Sequence, residues 1–331
     1  MIWVKFLLCL AIILFAGTKL ARYGDAIAEK TGLGRMWIGL VLLAAVTSMP
    51  ELVTGVSSAA VVGSPDLALG TLFGSCSLNL AILALLDILH HRTSVLAEAS
   101  SGHVASAGWG ILLIAIAAGS ILAEGTFSVP SLGWVNISSI IIFAVYLMGV
   151  WWIFRYERNH PLVTPDFSPN YEGISARTVY VRFALSAAAV IAAGIWLSFI
   201  GNEINEVTHW GATFVGSLFL AITTSAPELV VTIAALLLGA IDMAIADLLG
   251  SNMFNLAIIA PVDLFYTEGS LFSAVSNSHL ITAAVVAVMS ALVIAGLRFR
   301  QRRKTFVVIS WYALVLIGLY VFGVYVLFTS A

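Results

Sequence analysis

Two short stretches of this 331-residue chain combine residue types suited to holding a cation: Thr47-Ser48-Met49-Pro50-Glu51-Leu52 and Thr224-Ser225-Ala226-Pro227-Glu228-Leu229. Each lies in sequence otherwise almost free of charge. A carboxylate at the centre of a hydrocarbon layer costs roughly 2.5 to 3.5 kcal/mol, so one kept there marks an ion pathway by default. A proline inside a helix removes an amide donor and leaves the carbonyl four residues earlier, here that of Val46 or Thr223, without its bond. Thr47 and Ser48 precede Glu51 by four and three residues and share its helical face, as Thr224 and Ser225 share that of Glu228. One such stretch alone reads equally well as a kinked helix whose hydroxyls bond back to its own carbonyls. Back-bonding needs no glutamate, and the repetition of the glutamate favours an ion site.

Further oxygen donors follow each stretch. Ser75 and Asn79 are four residues apart, as are Ser251 and Asn255, so each pair occupies one helical face. Intramembrane Ser and Asn also serve as plain interhelical hydrogen-bond partners, but their repetition beside the glutamates points to coordination. The donors read as hard oxygens only, with no His or Cys matched between the halves, which suits Ca²⁺ or Na⁺ and disfavours zinc or copper. About six to eight oxygens complete a calcium site, and this set supplies them. Asp247 lies on the stripe of Ser251 and Asn255, two turns or about 12 Å from the latter. It reads either as a carboxylate of the site and its access path or as a solvated residue near the helix end.

The elements that position these residues are membrane spans. The chain is 61% hydrophobic and 10% charged, the composition of an all-α polytopic membrane protein. Segments near 2–22, 35–62, 67–89, 104–123, 133–154, 179–200, 212–240, 243–265, 279–297 and 305–328 are long enough to cross, giving ten transmembrane helices. Lys5 ahead of a short apolar stretch resembles a signal peptide, yet that run belongs to the repeat described next. Cys9 and Cys76 fall inside spans and give no disulfide framework. With the amino terminus placed outside, fourteen of the fifteen basic residues fall on one face, and only Lys5 on the other. Basic loops face the cytoplasm. The expected location is therefore the cell (inner) membrane, multi-pass, with both termini outside.

Adding 177 to a first-half position lands on its counterpart: Gly17 on Gly194, Gly24 on Gly201, Glu29 on Glu206, Gly34 on Gly211, Gly39 on Gly216 and Glu51 on Glu228. Beyond the glutamates the offset is 176, pairing Gly63 with Gly239, Asp66 with Asp242, Ser75 with Ser251, Asn79 with Asn255 and Asp87 with Asp263. Five helices per copy is an odd number, so the second enters from the opposite side. The expectation is two inverted five-helix repeats, residues 1–154 and 179–331, joined by a cytoplasmic linker at 155–178 that contains Pro161, Pro165 and Pro169.

These residues carry a resemblance. Thr47 to Leu52 with Gly74-Ser75 and Asn79, and Thr224 to Leu229 with Gly250-Ser251-Asn252 and Asn255, resemble the two alpha repeats of the sodium/calcium exchanger superfamily, closest to its short prokaryotic members. The resemblance implies a ten-helix inverted-repeat fold that exchanges Ca²⁺ for Na⁺ or protons at a midplane site. It implies as ligands Thr47, Ser48, Glu51, Ser75 and Asn79 with Thr224, Ser225, Glu228, Ser251 and Asn255. The chain departs from that pattern at Thr71 and Asp247, where asparagines are usual, at Cys76, and at Asn255, where sodium-coupled members often carry Asp. These departures bear on the coupling ion and the number of ions.

An unneutralised pair of carboxylates is costly to carry through the bilayer centre, whereas one holding a divalent ion, two monovalent ions or protons is not. Exchange is thus expected to be obligatory, with the lipid bilayer, Ca²⁺ and a monovalent ion as the partners, no cofactor and no nucleic acid. The resemblance implies that the first helix of each half slides across the bundle, and Gly17 and Gly194 suit such close contact. Asp87 and Asp263 read as solvated or snorkelling carboxylates near helix ends, and His90, His91 and His103 as interfacial. Trp151, Trp152, Trp210 and Trp311 suit the membrane interface. Outside the antiporter reading stand a channel, a sensor that has lost transport, and an intramembrane enzyme, for which no matched nucleophile and base are found.

Overall fold

A computed structural model of the chain describes residues 2–330 apart from 91–92, 127–128, 160–170, 172, 209–219, 302 and 307. His91, Trp210, Gly211, Gly216 and the prolines of the linker lie outside the described residues. The architecture is all-α, with one small antiparallel hairpin pairing Ser131–Leu132 with Val135–Asn136. Among the described residues seven continuous helices are long and apolar enough to cross a membrane, and a bent pair, Arg35–Thr47 with Met49–Ala60, makes an eighth. Two shorter apolar helices, Ala226–Leu237 and Trp311–Ser330, occupy the places of the seventh and tenth expected spans.

The first span, Ile2–Thr31, runs nine residues past its expected end and stops where Gly32 takes a left-handed φ of 67°, the usual helix terminator. The second is broken in the middle. Its first limb contains a π-helical turn at Ile38–Leu43, and at Ser48, with φ −87° and ψ 10°, it bends by 43° into a second limb with Pro50 in its first turn. Proline is tolerated there because the first-turn amides have no intrahelical acceptor. The seventh span breaks in the same way: Ser225 has φ −83° and ψ 9° before Ala226–Leu237, with Pro227 in the first turn. The third span, Pro65–Leu89, opens on a Ser64 cap whose hydroxyl accepts from the Leu67 amide at 3.4 Å. The fourth, fifth and sixth are His103–Glu124, Ile137–Asn159 and Ala176–Thr208. The eighth is Ile241–Phe265 and the ninth His279–Phe299.

Burial sorts these helices into a centre and a ring. Of the most apolar window of each, 67% of the third span and 89% of the eighth are buried, against 33% of the first and 28% of the fifth. The ring helices expose Val4, Leu7, Phe15, Leu147, Leu185 and Val321, as a lipid-facing surface does. The first limb of the second span presses against the eighth at two glycines. A Cβ on Gly39 would meet Met243 O and, at 3.1 Å, the Asp247 amide nitrogen; one on Gly250 would meet Leu40 O, with Leu40 Cα at 2.7 Å. In the sixth span, a Cβ on Gly194 would meet Pro50 Cγ at 2.5 Å and Pro227 Cγ at 3.3 Å. That helix therefore crosses directly over both breaks.

Four acids fasten the ends of the bundle, and here the structure corrects the sequence reading. Asp87 and Asp263 are fully buried rather than solvated. Asp87 accepts from the amides of Val95 (3.0 Å) and Ser310 (2.9 Å) and the hydroxyls of Ser310 (3.0 Å) and Tyr312 (2.5 Å). Asp263 accepts from the amides of Asn136 (2.7 Å) and Leu271 (3.1 Å). These contacts hold Asn136 and Ser310 at the starts of the fifth and tenth spans, so both begin later than their hydropathy suggests. His103 is also buried, not interfacial; its Nε2 meets Asp242 Oδ1 at 2.9 Å, and His279 Nε2 meets Asp66 Oδ1 at 2.9 Å. His103 and His279 are separated by the same 176 positions, so a histidine is matched between the halves after all. The amides of Ser100 and Ser276 complete the two clamps at 2.6 and 2.7 Å from Asp242 and Asp66.

Candidate cation site

The two breaks place a glutamate early in each second limb, where it turns into the centre of the bundle. Glu51 and Glu228 are wholly buried, as are Thr47, Ser48, Ser75, Asn79, Thr224, Ser251, Asn255 and Asp247, with Ser225 at 1% exposure. Each residue expected as a ligand is therefore buried in the interior. Glu51 Oε1 accepts from Ser75 Oγ at 3.3 Å and from Ser225 Oγ of the other half at 3.1 Å. Glu228 Oε1 accepts from Ser48 Oγ, again across the halves, at 3.0 Å. Ser225 Oγ and Ser75 Oγ lie 3.1 Å apart, Ser75 and Thr224 approach to 3.5 Å, and Thr47 meets Ser251 at 3.4 Å.

What is left over defines the chemistry. Glu51 Oε2, Glu228 Oε2, Asp247 Oδ2, Asn79 Oδ1 and Asn255 Oδ1 are buried acceptors without a hydrogen-bond partner. None of the three acids forms an ion pair with a cationic side chain among the described residues. Buried acceptors normally find donors, and an uncompensated buried charge is far costlier than an unpaired hydroxyl. A cation supplied from solution is the kind of partner such oxygens lack, although Asp247 and Asn255, two helical turns apart, do not share a single ion. Among the described residues no three His, Cys, Asp or Glu side chains gather as a metal cluster. The set is instead carboxylates with hydroxyl and amide oxygens, a hard-oxygen environment. The back-bonding reading is partly realised as well, since Thr47 and Thr224 contact the carbonyls of Ala44 (3.4 Å) and Ala221 (3.1 Å).

The structure separates the two readings of Asp247. It is not solvated: its exposure is 0%, and its Oδ1 accepts from Thr47 Oγ1 at 3.5 Å. Asn252 is a participant that sequence reasoning passed over. It accepts from Asn79 Nδ2 at 3.1 Å through Oδ1 and donates to Cys76 O at 3.2 Å, while the Cys76 thiol faces Asn252 O at 3.7 Å. Positions 76 and 252 differ by 176, but Cys faces Asn, so a search for identical residues skips the pair. Thr71 donates to its own helix at Leu67 O, 2.8 Å away, and takes no part.

Buried anionic oxygens without cationic neighbours, held where two membrane helices break, are suited to taking up cations within a membrane protein. The chain belongs to the sodium/calcium exchanger protein family, whose model matches residues 1–155 and 178–329. It is a multi-pass cation antiporter of that family and not an enzyme. CaxA of Alkalimonas amylolytica, a protein named as an antiporter, is 24% identical over 305 residues, 89% of each chain. The inner membrane protein YrbG of Escherichia coli (strain K12) is 24% identical over 276 residues, 79% of each chain. Among solved structures, the sodium-calcium exchanger NCX_Mj shares the fold at a TM-score of 0.73 and 17% identity, with 98% of this chain and 97% of that one covered.

Proposed function

We propose that the chain exchanges Ca²⁺ for Na⁺ by alternating access at a midplane site built on Glu51 and Glu228. The ligands are the oxygens of Thr47, Ser48, Ser75 and Asn79 from one half and Thr224, Ser225, Ser251 and Asn255 from the other, with Asp247 beside them. The observation that carries this reading is the pair of fully buried glutamates, each with one oxygen unpartnered and neither with a cationic neighbour. The two glutamate charges match one divalent ion or two monovalent ones, Asp247 adds a third carboxylate for a further cation or proton, and the site crosses the bilayer centre cheaply only when filled. The hydroxyls around each carboxylate supply the oxygens a metal ion needs, and Na⁺ is the monovalent ion that can use the same oxygens in turn with Ca²⁺. The names of CaxA and NCX_Mj, an antiporter and a sodium-calcium exchanger, agree with it. Both termini lie outside, with residues 1–154 and 179–331 as inverted halves.

Ca²⁺ uptake into proteoliposomes, driven by an outward Na⁺ gradient and separately by a proton gradient, tests transport and coupling together. Uptake with Na⁺ and none with protons is the expected result; proton-driven uptake would transfer the reading to a proton-coupled antiporter, and no uptake with either would leave a sensor. Glu51→Gln and Glu228→Gln should each abolish exchange in a folded protein. Unimpaired flux in either variant would sink the site assignment.

A further inference from the structure

Between the fourth, fifth and ninth spans, on the side where the basic loops gather, lies a half-open cavity of about 580 Å³. Its walls combine two kinds of surface. Arg298 and Arg300 form a cationic rim, while Trp152, Tyr156, Val104 and Leu297 give it an apolar body. The two aromatic rings stack with centroids 5.5 Å apart and planes 11° from parallel. No carboxylate lines the cavity.

The rim is fixed by the backbone. Arg300 is the one described non-glycine residue with a left-handed φ, 42°, at the point where the ninth span ends. Such a conformation is uncommon for a side chain of this size, and here the guanidinium donates to Ala99 O at 3.0 Å, which holds it across the cavity mouth. That contact uses one of about five N–H donors. Arg298 makes no ion pair or hydrogen bond among the described residues. Two arginines thus stand beside an interfacial Trp–Tyr pair with most of their donors unspent.

We propose that this cavity holds an anionic phospholipid of the leaflet on the basic side, its phosphate between Arg298 and Arg300 and its glycerol and upper acyl region against Trp152, Tyr156 and Leu297. Guanidinium groups match the planar, multi-donor geometry that phosphate oxygens require. Aromatic side chains sit at headgroup depth, and basic pockets between spans on the cytoplasmic side are suited to anionic headgroups. The volume lies within the roughly 300 to 1,000 Å³ usual for small-molecule sites. A free phosphate would satisfy the rim alone and leave the apolar body without an occupant.

The full chain, purified in detergent, would be titrated with phosphatidylglycerol, phosphatidylcholine and inorganic phosphate, and bound lipid read by native mass spectrometry. The expected result is retention of phosphatidylglycerol over phosphatidylcholine. That preference should fall about tenfold in the double variant Arg298→Ala/Arg300→Gly, in which glycine accepts the left-handed backbone without strain. Equal retention of the two lipids, unaltered retention in the double variant, or displacement of the lipid by phosphate at equal concentration would each overturn the proposal. A second readout needs no change to the arginines. Brominated phosphatidylglycerol should quench a part of the tryptophan fluorescence that disappears in Trp152→Phe, and identical quenching of both proteins would equally overturn it.

Discussion

Gly250→Ala is the substitution whose consequence follows most directly from coordinates. A Cβ at residue 250 would lie 2.7 Å from Leu40 Cα and 2.8 Å from its carbonyl carbon, with the carbonyl oxygen nearer still. All three are main-chain atoms, so no rotamer change relieves the contact. Restoring ordinary van der Waals distance requires the second and eighth spans to separate by roughly 1 Å. Overpacking of this kind costs about 1 to 3 kcal/mol. The next residue, Ser251, is the one that touches Thr47 at 3.4 Å, so the displacement falls on the proposed ion ligands. If half of that strain, about 0.5 to 1.5 kcal/mol, appears as lost ion binding, the Ca²⁺ concentration for half-maximal uptake rises about two- to twelvefold. Thermal unfolding of the purified protein and Ca²⁺-dependent uptake in vesicles are the two measurements. Gly108→Ala and Gly318→Ala serve as controls, since a Cβ at either meets nothing within 4 Å. A Gly250→Ala protein matching these controls in both assays would refute the argument that main-chain contact sets the ligand geometry.

Asp247→Asn should weaken Ca²⁺ affinity or change the dependence on the coupling ion, with Asn255→Asp partly restoring it in the double variant; unchanged exchange at every Na⁺ concentration and pH tested would remove Asp247 from the site. His103→Ala should lower the unfolding temperature more than His279→Ala. The His103 side chain is fully buried and its Asp242 partner 24% exposed, whereas the His279 side chain and Asp66 are 9% and 49% exposed, and an orphaned buried acceptor costs about 1 to 3 kcal/mol. Equal losses would show that burial does not set the strength of these clamps. Cysteines introduced at positions 331 and 302 should be labelled from opposite sides of the membrane, and labelling from the same side would overturn the proposed topology.

Most of the site was legible because its chemistry is repeated. Glu51 and Glu228 stand out as charges in apolar sequence, and spacings of three and four residues name the hydroxyls on their faces without any coordinates. The ends of the spans were less legible. Hydropathy places the start of the tenth at residue 305, but Asp87 takes the Ser310 amide, and the helix begins only at Trp311. Asp87 itself reads as solvated because, apart from the Val95 amide, its donors lie more than 200 positions away at Ser310 and Tyr312. The His103–His279 pair was within reach, since both residues sit at the repeat offset, but each stands at the start of its span, away from the glutamate stretches. The crossing of Gly194 over Pro50 and Pro227 follows from packing between three helices, which no periodicity encodes.

Each of the four clamping acids takes donors from the opposite half: Asp66 from residues 276 and 279, Asp87 from 310 and 312, Asp242 from 100 and 103, and Asp263 from 136. Glu51 and Glu228 do the same through Ser225 and Ser48. During synthesis the first half enters the bilayer while the partners of Asp66 and Asp87 are still unmade. Asp87, fully buried in the folded bundle, then has only the Val95 amide of its four donors in place, and it stays incompletely bonded until the tenth helix arrives. A ribosome stalled before residue 310 would hold a chain with most of its helices placed and Asp87 still lacking its distal partners, a natural substrate for membrane quality control.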